Sequence, residues 1–149
     1  MDEEWPEGWP GELVLEGRTH FHLPTNLTEG EANRAGPGVK GEREIFHNHA
    51  MSGNRTRTIL LMAHEMGEGI LSGDKPVRML DSLAASGIRS HRVCHELPSK
   101  MVSRLQLWMC DMDENAISWL KANYKQNPVA EIGEFKPVCG DARQVALSH

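Results

Sequence analysis

An α/β fold with a mostly parallel sheet, Rossmann-like but incomplete, is what this sequence predicts, with a small β/loop extension in front. Three observations lead there. Residues 77–143 alternate strand-like and helix-like text: VRMLDSLAASGIRSHRVCHEL, then LQLWMCDMDENAISWLKANY, then FKPVCGDAR. The two later apolar strands end on an acid or on Gly-Asp, at Asp111 and at Gly140-Asp141. The turn after the first strand is small and glycine-bearing, Ala85-Ser86-Gly87. Strands alternating with helices imply parallel pairing through crossovers, and ligands of open α/β sheets sit at the carboxyl ends of the strands.

The elements follow in order. Residues 1–11 are Trp, Pro, Gly and acid, and predict an irregular or frayed terminus. GELVLEGRTHFHLP alternates as a hairpin or two short strands with Glu16-Gly17 at the turn. Residues 24–43, rich in Gly, Asn, Thr and charge, predict a long loop. A helix follows Phe46–Ser52, capped by Ser52 or Asn54, with Ile59, Met62, Ala63 and Met66 on one face. Next come a strand over 77–83, the turn 85–87, and a helix to about Leu97 that Pro98 stops. A second strand covers 105–110. Asp113 caps a helix through Asn123, with Ile117, Leu120 and Tyr124 on one face, and Asn127-Pro128 breaks it. A third strand covers 135–139. Two units result: an extension, 1–45, and half of a ligand-binding α/β domain, 46–149.

Composition sets bounds. The 149 residues suffice for one modest domain, with 39% hydrophobic and 25% charged residues, as expected of a globular protein. No apolar run approaches the roughly 20 residues a membrane helix needs. The acidic MDEEWPEGWPGE has no apolar leader core, so a cytoplasmic setting is expected. Cys94, Cys110 and Cys139 form no CxxC pair and are expected to be reduced and buried. The net charge of −5 argues against an overall basic coat for nucleic acid. Residues 46–104 nevertheless carry 8 bases against 5 acids, so Arg55, Arg57, Arg89, Arg92 and Arg104 are candidates for a local phosphate-facing region.

The ligand chemistry is read from the turns. Asp111 closes its strand about 25 residues after the glycine turn, where an acid accepts from two ribose hydroxyls. Ala84-Ala85-Ser86-Gly87-Ile88-Arg89 lacks GxGxxG, which speaks against a dinucleotide and its pyrophosphate. A cofactor with ribose and adenine but no phosphate fits better, and S-adenosylmethionine is the common one. Arg55 and Arg89 both stand at helix starts, where the dipole opposes a cation, so each suits an anionic partner such as a carboxylate. Asp141 and Ala142 stand where an adenine would lie, the Asp as acceptor for its amino group. His20/His22 and His47/His49 each space two imidazoles on one strand face, but lack a third and fourth ligand nearby, so no metal is expected. His64-Glu65 opens like HExxH, yet Glu68 replaces the second His. No base for an acceptor amine is evident in these residues.

The same residues carry a family resemblance. Glu16-Gly17-Arg18-Thr19, Phe46-His47-Asn48-His49 with Asn54-Arg55, and Asp81 through Arg89 resemble the E-G-K/R-T, F-Y-N-P-x-x-x-x-N-R and D-x-L-[SA]-A-[ST]-G-[IL]-R stretches of the archaeal and eukaryotic tRNA (guanine-26-N2)-dimethyltransferases. Residues 12–145 take part, with His47 and His49 standing where the family has Tyr and Pro. The resemblance implies a class I methyltransferase fold and S-adenosylmethionine held by Arg55, Arg89, Asp111, Asp141 and Ala142. It also implies Phe46 near cofactor or target base, and methylation of guanosine N2 in tRNA. The family's catalytic D-P-[FY]-G-like segment and tRNA-binding domain would lie past His149. Other readings are a class I methyltransferase for a different RNA, a protein or a small molecule; a nicotinamide dehydrogenase; or a non-catalytic RNA-binding fragment. The expectation is that these 149 residues alone move no methyl group onto tRNA; incorporation of radiolabelled methyl into tRNA by the purified chain would contradict it.

Overall fold

The computed structural model describes residues 5–25, 45–71 and 73–148, so most of the expected loop at 24–43 lies outside the described residues. Two sheets form. Strands β1 (Glu12–Glu16) and β2 (Thr19–Leu23) make an antiparallel hairpin, and β3 (Val77–Asp81), β4 (Leu105–Asp111) and β5 (Glu134–Cys139) make a parallel sheet in the order β3-β4-β5. Leu80 pairs with Trp108, and Met109 with Pro137. Helix α1 (Ser52–Gly67) precedes β3, α2 (Ile88–Glu96) and the single turn α3 (Ser99–Val102) join β3 to β4, α4 (Glu114–Gln126) joins β4 to β5, and α5 (Ala142–Ser148) follows β5. Among the described residues no helix is long and apolar enough to cross a membrane.

The central strand explains the layering. In β4, Leu105, Leu107, Trp108, Met109 and Cys110 are all buried, so both faces of that strand are covered. Leu107 and Met109 pack with Cys94 of α2 and Leu120 of α4. On the other face Trp108 and Leu80 line a hollow with Val145 and Ala146 of α5. Helix α1 adds Ile59 and Met66 to a second cluster with Val77, Val93, Leu97 and Leu105.

The hairpin is part of this body. Phe21 and Leu23 pack on Ile88. Asn123 of α4 accepts from His22 N at 2.6 Å and donates to His22 O at 3.0 Å, as a neighbouring strand would. The N-terminal segment is irregular, as expected, but Trp5 and Trp9 are packed: Trp5 stacks on Trp9, and Trp9 meets His22 and Trp119. Aromatic stacking outweighs the fraying tendency of a Pro/Gly-rich end.

Several boundaries differ from the sequence reading. β3 stops at Asp81 rather than Leu83, because Asp81 turns inward to Ser90 and Ala84 N bonds to Cys110 O. α1 is preceded by a 3-10 turn, His49–Met51, capped by Asn48, so Ser52 and Asn54 lie inside the helix. α3 and α5 were not anticipated. Cys139 is exposed rather than buried, its thiol donating to Met112 O, while Cys94 is buried and its thiol is pushed up to about 12.

His91 sets a pH dependence. It is buried, stacked on His95, and burial chiefly, with the His95 charge, lowers it to about 4. The unfolded chain therefore takes up the proton near 6.5 and the folded one only near 4. Stability is full above pH 6.5 and falls by roughly 3 kcal/mol as pH drops through that window. Urea unfolding at pH 7.5, 5.5 and 4.5 should show this loss, and His91→Phe should flatten it.

Candidate functional site

The site is built at the carboxyl ends of the parallel strands, where the β3–α2, β4–α4 and β5–α5 connections meet. The β3–α2 connection is tight. Ala85 holds φ +47° and Gly87 φ +74°, and Gly87 N bonds back to Ala84 O at 2.7 Å. At Gly87 a side chain is excluded twice: by the left-handed backbone and by Leu120, whose Cγ would lie 2.7 Å from a Cβ.

Asp111 ties the three connections together. Its Oδ2 accepts from Ala85 N at 2.8 Å, its Oδ1 from Asp113 N at 3.1 Å, and its backbone oxygen from Gly140 N at 2.9 Å. The carboxylate is half-buried, and each oxygen keeps a second lone pair for a hydroxyl donor. Asp113, not Asp111, caps α4 by accepting from Asn115 N.

Two hollows flank the β3–α2 connection, and the side chain of Leu83 borders both. Arg55, Asp81, Ser86 and Arg89 line the first, together with Phe46 and Asn48. Asp141, Ala142 and Arg143 line the second, with Met112. Arg89 is held at the mouth of the first by neutral partners on α1: Nη1 donates to Thr58 Oγ1 at 2.6 Å and Nη2 to Asn54 Oδ1 at 2.9 Å. Arg55, on the first turn of α1, is buried. Its Nε and Nη2 each lie 2.6 Å from a Glu16 oxygen, and Nη2 also donates to Asn48 O.

Asp81 is a site residue beyond those the sequence patterns point to. It is buried, and burial raises its carboxyl, offset in part by the bond from Ser90 Oγ at 2.7 Å and the charge of Arg89. Glu16 is a second such residue. Burial alone would raise it; bonds and charge from Arg55 and Arg92 outweigh that and hold it below its usual value. The signal available for both is only that each is an acid closing a strand.

Asp141 caps α5, its Oδ1 accepting from Arg143 N at 2.9 Å, and the Arg143 guanidinium closes on the same carboxylate. Those bonds push Asp141 down to about 2. The five arginines expected to form a basic region are not gathered on one face. Arg55 and Arg92 are buried in ion pairs, and Arg104 is bonded to the carbonyls of Gly73 and Lys75. Among the described residues no three His, Cys, Asp or Glu side chains cluster as metal ligands would.

Comparison with known proteins places the chain. The family model for N2,N2-dimethylguanosine tRNA methyltransferase matches residues 18–148. The chain belongs to that family. Among curated members, the tRNA (guanine(26)-N(2))-dimethyltransferase of Pyrococcus abyssi is 31% identical over 110 residues, covering 72% of this chain and 25% of the relative. That of Methanocorpusculum labreanum is 26% identical over 132 residues, covering 89% and 28%. The chain thus spans about a quarter of the length of these dimethyltransferases. Two solved structures share the fold. Trm1 from Pyrococcus horikoshii, in complex with S-adenosyl-L-methionine, has TM-score 0.57 and 23% identity, over 90% of this chain and 32% of that one. Wild-type Trm5b from Pyrococcus abyssi has TM-score 0.54 and 16% identity, over 89% and 28%. The expected incomplete class I methyltransferase fold is the one observed, with a parallel sheet of three strands among the described residues.

Gly87→Ala is expected to destabilise this methyltransferase-family chain by at least about 2 kcal/mol, the left-handed penalty plus the Leu120 overlap. A thermal melt of the variant beside the wild type measures it.

Proposed function

We propose that this chain is the S-adenosylmethionine-binding part of a tRNA guanine-N2 dimethyltransferase acting at position 26, in a cytoplasmic setting. The observation that carries the cofactor reading is Asp111. It closes β4 half-buried beside the β3 turn, with lone pairs to spare for two hydroxyls. S-adenosylmethionine brings an electrophilic methyl on a sulfonium; the chain's own residues bind and orient. Asp111 accepts from the ribose hydroxyls. Arg89, held by neutral partners, carries charge for a carboxylate, and Arg55 stands in the same hollow. Asp141 and Ala142 border the second hollow, which takes the base of the nucleoside in this reading, the small side chain of Ala142 leaving room for it. Phe46 at the rim of the first hollow offers an apolar face toward an acceptor base.

No described residue is assigned to take the proton from the guanine amine. In this reading the catalytic segment and most contacts to tRNA belong to other parts of a longer protein, in line with the quarter of a relative's length that the chain spans.

Isothermal titration with S-adenosylhomocysteine is the test. The chain should bind it and should bind NAD at least tenfold less well, since no glycine cradle for a pyrophosphate exists at 84–89. Asp111→Ala should lower S-adenosylhomocysteine affinity by about tenfold or more and cost roughly 1–3 kcal/mol of stability by orphaning Ala85 N–H. Preference for NAD, or unchanged binding by Asp111→Ala, would refute the assignment.

A further inference from the structure

Four charged side chains from three elements form one cluster, and one of them, Arg55, lines the first hollow. Glu16 ends β1, Arg55 begins α1, and Arg92 and Glu96 lie one turn apart on α2. They divide into two forks. Arg92 takes Glu96 side-on, Nε to Oε1 at 2.7 Å and Nη2 to Oε2 at 3.0 Å. Glu16 takes Arg55 side-on, at 2.6 Å twice, and reaches Arg92 by a single bond of 3.1 Å. Two acids balance two cations, so the cluster offers no net charge to a ligand.

Arg55 retains a donor edge. Glu16 and Asn48 O take its Nε and Nη2. The two N–H groups of Nη1 have no hydrogen-bond partner among the described residues, and Arg55 lines the hollow beside Arg89. A buried guanidinium has five N–H donors in a fixed plane, so gripping one edge aims the other.

We propose that Glu16 is a positioning residue: its two-point grip on Arg55 presents the Nη1 edge to a ligand carboxylate in the hollow, while Arg89 supplies the charge. This rests on the cofactor reading given above. The division of labour follows from the partners. Arg89 hydrogen-bonds neutral Thr58 and Asn54 and meets the buried Asp81 carboxyl only through space, whereas Arg55 is forked by Glu16 and contributes geometry. A cluster that merely welded the hairpin to α2 would need only Glu96, which accepts from Arg18 N and Thr19 Oγ1.

Two nucleosides separate positioning from plain stability. S-adenosylhomocysteine carries the carboxylate; 5′-methylthioadenosine shares its adenine and ribose but has no carboxylate. Titration of Glu16→Gln is expected to show about tenfold weaker S-adenosylhomocysteine binding and unchanged 5′-methylthioadenosine binding, within about twofold. Equal weakening of both overturns the proposal, since that is loss of structure. Unchanged or tighter S-adenosylhomocysteine binding also overturns it, because then the freed charge of Arg55 outweighs its aim. Should Glu16→Gln fail to fold by near-ultraviolet circular dichroism, Glu16→Asp, one methylene shorter, should give the same one-sided loss, and an even loss refutes the idea. A wild-type chain that binds neither nucleoside removes the cofactor reading itself, and this proposal with it.

Discussion

Asp111 is the constraint on which the site's geometry depends. A parallel sheet delivers its connections to one end but does not align them. Here one residue does so, with two carboxylate bonds and one carbonyl bond reaching into all three connections. Its bond to Ala85 N holds a left-handed non-glycine residue, which costs energy unless something over-determines it. The hollows on either side of that turn exist because the turn is held. Any ligand that uses the remaining lone pairs of Asp111 therefore binds to a group that is already oriented.

The buried charge cluster plays a different part. Taking four charges out of water is costly, and a buried pair is weak evidence for stability by itself. What it does provide is specificity of arrangement. Glu16 and Arg92 come from elements 76 positions apart, and their partners do not interchange. Removing one member would leave an uncompensated buried charge, so hairpin, α1 and α2 are locked in a single relative placement. Phe21, Leu23 and Ile88 then supply the non-directional burial that holds it.

Much of the parallel half was legible in the sequence, for a physical reason. β4 is buried on both faces and reads as an unbroken apolar run, and Asp113, Pro98 and Asn127-Pro128 stop or start helices by local rules. What escaped was long-range. That Arg55 meets Glu16 rather than open space, or that Asp81 is buried against Ser90, depends on pairings across 39 and 9 positions that no local pattern encodes. The arginines looked like a basic surface because sequence shows charge without its neighbours. α5 escaped because ARQVALS is too short to display a period. Trp5 and Trp9 read as a loose end because Trp119, the ring that Trp9 meets, is more than a hundred residues away in the sequence.

The pairing of His22 with Asn123 has a consequence for the order of assembly. The two lie 101 positions apart. During synthesis, the hairpin leaves the ribosome long before α4 exists, and a lone two-stranded hairpin is marginal in water. Phe21 and Leu23 find Ile88 as soon as α2 is made, but the strand edge at His22 stays solvated until the chain has grown past residue 123. The hairpin is therefore seated in two stages: its charges and apolar side chains close on α1 and α2 first, and its edge is completed by α4 before β5 joins the sheet.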